Sequence, residues 1–358
     1  VKALIAAGGH GTRLRPITST NNKHLIPIAN KPMLFYVIDA VAEAGIREIG
    51  LVFGPESHAA ISAAIAPYAR QGLRFTLMIQ DAPRGLAQVV KLAEPFVAGE
   101  PFVFHLGDNL MTQKVADCVQ QFQVQKVNCL LVLAKVPDPQ RFGVAELLEG
   151  RVIGVVEKPV NPKSPYAVTG LYCYDRTIFE AVAAIQPSAR GELEISDAHQ
   201  YLIDRGYAVG YTEVSGWWKD TGKPEDLLEA NRLVLAQRAA SARGVIHGEV
   251  DGASSIEGSV VVETGARVTA SRLRGPSIIG PGSVIERSVI GPFTAVGPAC
   301  RVTGSDVEDS ILMEGCRIID AGGRIAHSLI GRDVEIVRDG VSGNHRFVIG
   351  DQSRIELP

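Results

Sequence analysis

The last third of the chain carries the pattern that most narrows what it can fold into. Apolar residues recur every six positions at Ile278, Val284, Ile290, Val296 and Val302, with similar pairs at Val262 and Val268 and at Ile330 and Ile336. A period of six suits neither an amphipathic helix nor a simply alternating strand. Glycine directly follows an apolar residue in Ile279-Gly280-Pro281-Gly282, Ile290-Gly291-Pro292 and Val296-Gly297-Pro298, which places small residues at corners. Hexapeptide coils of this kind stack into a parallel β-helix, left-handed in its usual form, because each coil can bury its apolar face only against the next. The pattern is imperfect near 303–310 and 319–327, where bulges or short insertions are expected. We therefore expect a β-helix domain over residues 244–358 and a different domain over 1–240.

The first domain opens with a small apolar run, Ala3 to Ala7, that enters Gly8-Gly9-His10-Gly11-Thr12-Arg13-Leu14-Arg15. A buried strand ending in glycines presents backbone amides to an anion, and Arg13 and Arg15 add fixed positive charge. The Walker pattern is absent, and Leu14 stands where the dinucleotide pattern needs its third glycine. Further on, periodicity predicts a helix over 32–44, a strand over 48–53, a helix over 57–70, a strand over 73–79, a helix over 86–97 and a strand over 102–106 ending in Gly107-Asp108-Asn109. Such alternation predicts a doubly wound, mostly parallel α/β sheet that binds ligands beyond the carboxyl ends of its strands. A strand over 127–136 precedes 144–148 and 152–157, which flank Glu149-Gly150 and read as a hairpin in a second, more open layer. A strand over 166–174, a helix from Arg176, a strand over 208–214 and a helix over 223–238 lead to an Ala/Ser/Arg linker.

Composition limits the partners. A net charge of −3 gives no footprint for nucleic acid, so local Lys and Arg are left to serve small phosphates. Five cysteines without a Cys-x-x-Cys pair suit reduced thiols in a cytoplasmic protein, and no apolar run is long enough to span a membrane.

The glycine loop, Lys23-His24-Leu25-Ile26-Pro27 and Asn30-Lys31-Pro32 together resemble the sugar-nucleotide pyrophosphorylases, which have a Rossmann-like nucleotidyltransferase fold. With Gln80-Asp81-Ala82-Pro83-Arg84-Gly85-Leu86-Ala87, Gly107-Asp108-Asn109, Phe142-Gly143-Val144, Glu157-Lys158-Pro159, Gly191-Glu192-Leu193-Glu194-Ile195 and Trp218-Lys219-Asp220-Thr221-Gly222, the pattern is most similar to the glucose-1-phosphate thymidylyltransferases. That resemblance implies dTTP and glucose 1-phosphate as substrates. It assigns the nucleotide to Ala7, Gly8, Gly9, Gly11, Thr12, Arg13, Gln80 and Gly85, with Arg13, Lys23 and Lys158 in catalytic contact with phosphates. It assigns the sugar phosphate to Gly143, Glu157, Lys158, Val168, Thr169, Gly170 and Arg190, and Mg²⁺ to Asp108 and Asp220. Singly, each aspartate would pass for a turn residue; their contexts match the family's metal-holding pair, whose chemistry suits a hard cation.

His24 departs from the glutamine frequent after the lysine, and a histidine there brings an expectation of pH dependence near neutrality. The other departure is the β-helix itself. Its expected role is homo-oligomer formation or capping; an acyltransferase activity would need one of His247, His327 or His345, none of which lies in a matching motif. UTP, another sugar 1-phosphate, or a non-catalytic scaffold are the remaining alternatives.

Overall fold

Strand β1 (Lys2–Ala6) forms where the apolar run predicts and lies inside a mixed sheet, in a computed structural model that describes residues 1–9, 11–19, 22–241 and 244–338. The chain divides by its internal contacts into two units. The first is Val1–His10, Asn22–Leu25 and Met33–Asp220; the second is Gly11–Asn21, Ile26–Pro32 and Thr221–Pro358.

In the first unit β1 is followed by α1 (Met33–Glu43), β2 (Glu48–Phe53), α2 (His58–Arg70), β3 (Arg74–Ile79), α3 (Leu86–Leu92), α4 (Glu94–Val97) and β4 (Phe102–Leu106). Strands β4, β1, β2 and β3 lie side by side and parallel. The inner strands β4, β1 and β2 are buried and mostly apolar because helices cover both faces, whereas the edge strand β3 is only partly buried and carries Arg74 and Thr76. Ala3, Ile5 and Ala7 pack with Leu34, Val37 and Ile38 of α1, while Leu4 and Ala6 pack with Ala87 and Val90 of α3. The single helix expected over 86–97 is two, because Pro95 has no N–H to donate and sits in the first turn of α4.

Next come β5 (Asn109–Met111), α5 (Val115–Gln125), β6 (Cys129–Lys135), β7 (Gly143–Leu148), β8 (Arg151–Glu157), β9 (Tyr166–Tyr174), α6 (Ile178–Ala184), α7 (Ile195–Asp204), β10 (Val209–Glu213) and β11 (Trp218–Asp220). The hairpin β7–β8 is not a second layer. It joins the same sheet, in the order β8-β7-β9-β4-β1-β2-β3, and β6 and β10 attach through β9. Strand β9 makes this possible: it pairs antiparallel with β4, β6 and β7, and its register with β6 shifts between Val168 and Tyr172. Strands β5 and β11 pair with each other as a separate ribbon.

The second unit is a parallel coil with three sheets of six, five and five strands among the described residues, the pattern of a left-handed β-helix. Its interior holds stacks such as Val262, Ile279, Val296, Leu312 and Ile330, each paired with the next. Two expected positions are corrected: Ile279 and Ile285 point inward where strict hexads gave Ile278 and Val284. Most steps are five or six residues, and several corners are turned by single left-handed residues, among them Ala270, Arg287 and Ala299. The irregularity near 303–310 is a shortening: Arg301 pairs with Arg317, 16 positions on, and Arg317 pairs with Glu335, 18 on. The longer coil takes up its extra residues at 319–327.

Helix α8 (Pro224–Ser241), expected to close the first domain, groups with the coil. Asn231, 1% exposed, donates from Nδ2 to the Phe293 carbonyl at 2.8 Å and accepts at Oδ1 from the Ala29 N–H at 2.9 Å. Ala29 and Asn30, both at positive φ, form the two-residue loop of a small hairpin, and Asn30 donates to the Val296 carbonyl.

Candidate active site

Three strands deliver their carboxyl ends to one place in the first unit. The Ala7 N–H donates to the Val52 carbonyl at 2.7 Å, the Gly107 N–H to the Ala6 carbonyl at 2.8 Å and the Gln80 N–H to the Phe53 carbonyl at 2.9 Å. These bonds continue the parallel ladder one residue past each strand. Gly8 and Gly9, Gln80, and Asp108 therefore leave the sheet along the same edge, where an α/β sheet binds its ligands.

The two aspartates expected to hold a metal come together. Asn109, 2% exposed, donates from Nδ2 to Asp108 Oδ1 at 3.0 Å and to Asp220 Oδ1 at 3.3 Å. Its Oδ1 accepts from the Trp218 Nε1–H at 2.7 Å and from the Gly170 N–H at 3.1 Å. The Gly170 amide is free to reach Asn109 where the β9 register shifts, and glycine is required there because a Cβ would lie 2.6 Å from Asn109 Cγ. Lys23 Nζ pairs with Asp108 Oδ2. Burial alone would raise the Asp108 pKa, but Lys23 and the bond from Asn109 hold the carboxyl well below its ordinary value.

His24 does not meet its expectation. It is 1% exposed, and burial lowers its pKa to about 4, so it stays neutral at physiological pH rather than titrating there.

The end of β8 presents Glu157. Its Oε2 accepts from Ser196 Oγ at 2.7 Å, and its Oε1 lies 3.3 Å from Arg190 and 3.3 Å from Lys158 Nζ. Arg190 is held in turn by Glu194, with Nη2 to Oε1 at 2.8 Å, and Glu194 also accepts from Ser188 Oγ. Lys158 sits at φ 43°, and its N–H donates to the Phe142 carbonyl at 2.9 Å, turning the chain just after the strand. Gly143 pairs with Glu157 across the hairpin. Phe142 meets Trp218 edge-on at 5.0 Å between centroids, so the Phe-Gly-Val segment and the Trp-Lys-Asp segment touch. Val168 and Thr169 are buried beside the register shift.

On the other flank, Gln80 is 6% exposed, and its Oε1 lies 3.2 Å from where a Cβ on Gly8 would stand. Gly85, at φ 100°, packs so tightly on Leu193 that a Cβ would lie 2.3 Å from its carbonyl oxygen.

The remaining expected nucleotide residues belong to the second unit. Gly11 is left-handed, and Thr12–Leu14 forms one turn of 3-10 helix after it. Thr18 Oγ1 donates to the Gly11 carbonyl at 2.8 Å, and Arg13 is exposed. Of the coil histidines, His327 Nδ1 pairs with Asp309, which also binds Arg232 of α8. His345 lies outside the described residues.

Sequence reasoning assigned no role to Asn109, Ser196 or Gln88. Asn109 was visible only as a neighbour in Gly-Asp-Asn, and its partners at 170, 218 and 220 are remote in sequence. Among the described residues no three His, Cys, Asp or Glu side chains gather into a metal cage. Two carboxylates joined through one amide fit a hard divalent cation that takes its other ligands from substrate phosphate and water.

The chain belongs to the nucleotidyl transferase family, whose model matches residues 2–237. Nucleotidyltransferases of this family generally use a divalent metal. A glucose-1-phosphate thymidylyltransferase of Streptomyces griseus is 45% identical over 359 residues, covering 100% of this chain and 99% of that protein. A low-salt glycan biosynthesis nucleotidyltransferase of Haloferax volcanii is 39% identical, with 100% of both chains covered. Among solved structures, a glucose-1-phosphate thymidylyltransferase from Bacillus anthracis in complex with sucrose aligns with a TM-score of 0.62 and 40% identity, over 65% of this chain and 94% of that one. A UDP-glucose pyrophosphorylase complexed with UDP-glucose aligns with a TM-score of 0.60 and 25% identity, over 66% of this chain and 99% of that one. No helix among the described residues is long and apolar enough to cross a membrane.

Proposed function

We propose that this protein transfers the thymidylyl group of dTTP to α-D-glucose 1-phosphate, releasing pyrophosphate and forming dTDP-glucose. The observation that carries the reading is the Asn109-bridged pair Asp108 and Asp220; Gln80 and Gly85, and Glu157 and Lys158, are the further candidate contacts. Nucleotide, metal and sugar phosphate thus each have a candidate surface on one sheet edge.

A phosphate oxygen of glucose 1-phosphate attacks the α-phosphorus of dTTP. The new P–O bond forms in line with the breaking bond to the β-phosphate bridge, and pyrophosphate leaves with the electron pair. Such a transition state needs positioning and charge stabilisation more than a general base. The amides of Gly8 and Gly9, which follow Ala7 off the sheet, approach the triphosphate, and the resemblance implies the same ligand for Gly11, Thr12 and Arg13. Lys23, paired with Asp108, meets the phosphates; Lys158 neutralises the sugar phosphate. Glu157, fixed by Ser196 and Arg190, accepts from sugar hydroxyls, while Gly143, Val168, Thr169 and Gly170 line that side. Asp108 and Asp220 would hold Mg²⁺, which supplies charge stabilisation at the α-phosphate. We extend the reading to a cytoplasmic homo-oligomer, supported by five unpaired, buried cysteines for the compartment and by the β-helix, whose expected role is oligomer formation or capping, for the assembly; sedimentation equilibrium tests the latter.

Asp108→Asn tests the centre. The change is nearly isosteric, so turnover is expected to fall below a thousandth of wild type while the circular dichroism spectrum and melting temperature stay close to it. Near-normal turnover of this variant would move the metal elsewhere.

A further inference from the structure

Gln80 lies beside Gly8, and the proposed function places the nucleotide base there. What an amide offers a base depends on which way round it is held, since one end accepts and the other donates. Here the orientation is fixed by neighbours that cannot reverse. Gln80 Nε2 donates to Gln88 Oε1 at 2.8 Å and to the Gly85 carbonyl at 3.3 Å. A backbone carbonyl only accepts, so the Gln80 NH₂ must face it. Gln88 is polarised in turn: its Nε2 points to Asp81 Oδ1 at 3.5 Å, and a carboxylate also only accepts. Asp81 is itself anchored by Arg84 at 3.1 Å and by the Ala82 N–H at 2.9 Å. The chain from Asp81 through Gln88 to Gln80 therefore has one polarity, and it leaves Gln80 Oε1 beside Gly8 as an acceptor.

We infer that Gln88, backed by Asp81, is a specificity-determining positioning residue that makes Gln80 select a base carrying an imino N–H. Thymine and uracil present N3–H between two carbonyls and satisfy that acceptor. Cytosine presents a bare N3 lone pair against Gln80 Oε1 and is rejected. The relay does not separate thymine from uracil, whose pairing edges are the same. The inference rests on the nucleotidyltransferase reading, and its test keeps the two apart.

The experiment measures kcat/KM for dTTP and dCTP with glucose 1-phosphate and Mg²⁺, alongside direct calorimetric binding of each triphosphate without the sugar. Wild type, Gln88→Met, Gln88→Glu and the exposed Asp81→Leu are compared. Gln88→Met keeps the volume but removes the 2.8 Å bond and leaves only the longer 3.3 Å bond to the Gly85 carbonyl to hold the Gln80 amide, so the dTTP:dCTP ratio is expected to fall at least tenfold, mainly through binding, with the dTTP kcat little changed. Gln88→Glu keeps an acceptor facing Gln80 Nε2, so the ratio stays within about threefold of wild type. Asp81→Leu removes the anchor and lowers the ratio by a smaller factor without touching the core. An unchanged ratio in both Gln88→Met and Asp81→Leu overturns the relay. If Gln88→Met is insoluble, the Asp81→Leu and Gln88→Glu ratios decide alone. A wild-type protein that binds neither triphosphate contradicts the underlying nucleotide reading instead.

Discussion

Asn109 uses every hydrogen-bonding group it has. Two acceptor directions take the Gly170 and Trp218 N–H groups, and two donors go to Asp108 and Asp220, all with the side chain buried. Asn109→Leu would leave two buried donors without partners, at about 1–3 kcal/mol each, and would release both carboxylates. Urea denaturation is expected to show a loss of about 2–6 kcal/mol by the same reasoning, with kcat down at least a hundredfold; a variant with wild-type kcat would show that the carboxylates need no clamp. The two aspartates were singled out only through the resemblance of their motifs, and what the structure adds is that Asn109 brings them together. Asn109 was not singled out, since its importance comes from three remote partners brought to it by β9 and β11. His24 was misjudged for a related reason: a sequence gives a histidine its ordinary pKa, and only burial moves it to about 4.

Among elements, the α/β alternation was legible because each helix and strand has its own period and its own end signals. The exceptions have local causes, as where Pro95 divides the helix over 86–97. Pairing was less legible. The hairpin β7–β8 carries no mark of which sheet it joins; β9, buried along most of its length, makes that choice. In the coil the period was visible and its phase was not, because corners of unequal length shift the inward position from Ile278 to Ile279. The coil has a second, polar repeat. The N–H groups of Ser271, Ser288 and Ser305 each donate to the Oγ of a serine one coil earlier, at 3.0, 3.1 and 3.2 Å, and each hydroxyl donates to a nearby carbonyl. Ser288→Val would strand the buried Ser305 N–H and is expected to destabilise the coil by about 1–3 kcal/mol. A lowered urea midpoint at unchanged slope is the expected signature, and an unchanged midpoint would show that the ladder adds nothing.

For the whole molecule, three buried histidines link folding to pH. Burial lowers His24 and His105 to about 4 and His199 to about 3. A histidine with a depressed folded pKa binds fewer protons folded than unfolded, so its stability is fully present above about pH 6.5 and is lost as pH falls toward 4. At pH 5 each contributes a loss of about 2 kcal/mol relative to neutrality. The melting temperature is therefore expected to fall by several degrees or more between pH 7 and pH 5, and a flat profile would mean that these side chains take up protons in place. The central claim concerns chemistry, and pyrophosphate release tests it most directly. With Mg²⁺ and glucose 1-phosphate, the purified protein is expected to give its largest kcat/KM with dTTP when dTTP, UTP, GTP and ATP are compared. A larger value with any other triphosphate would contradict the thymidylyltransferase assignment, and no release with any of them would leave the site described here without its reaction.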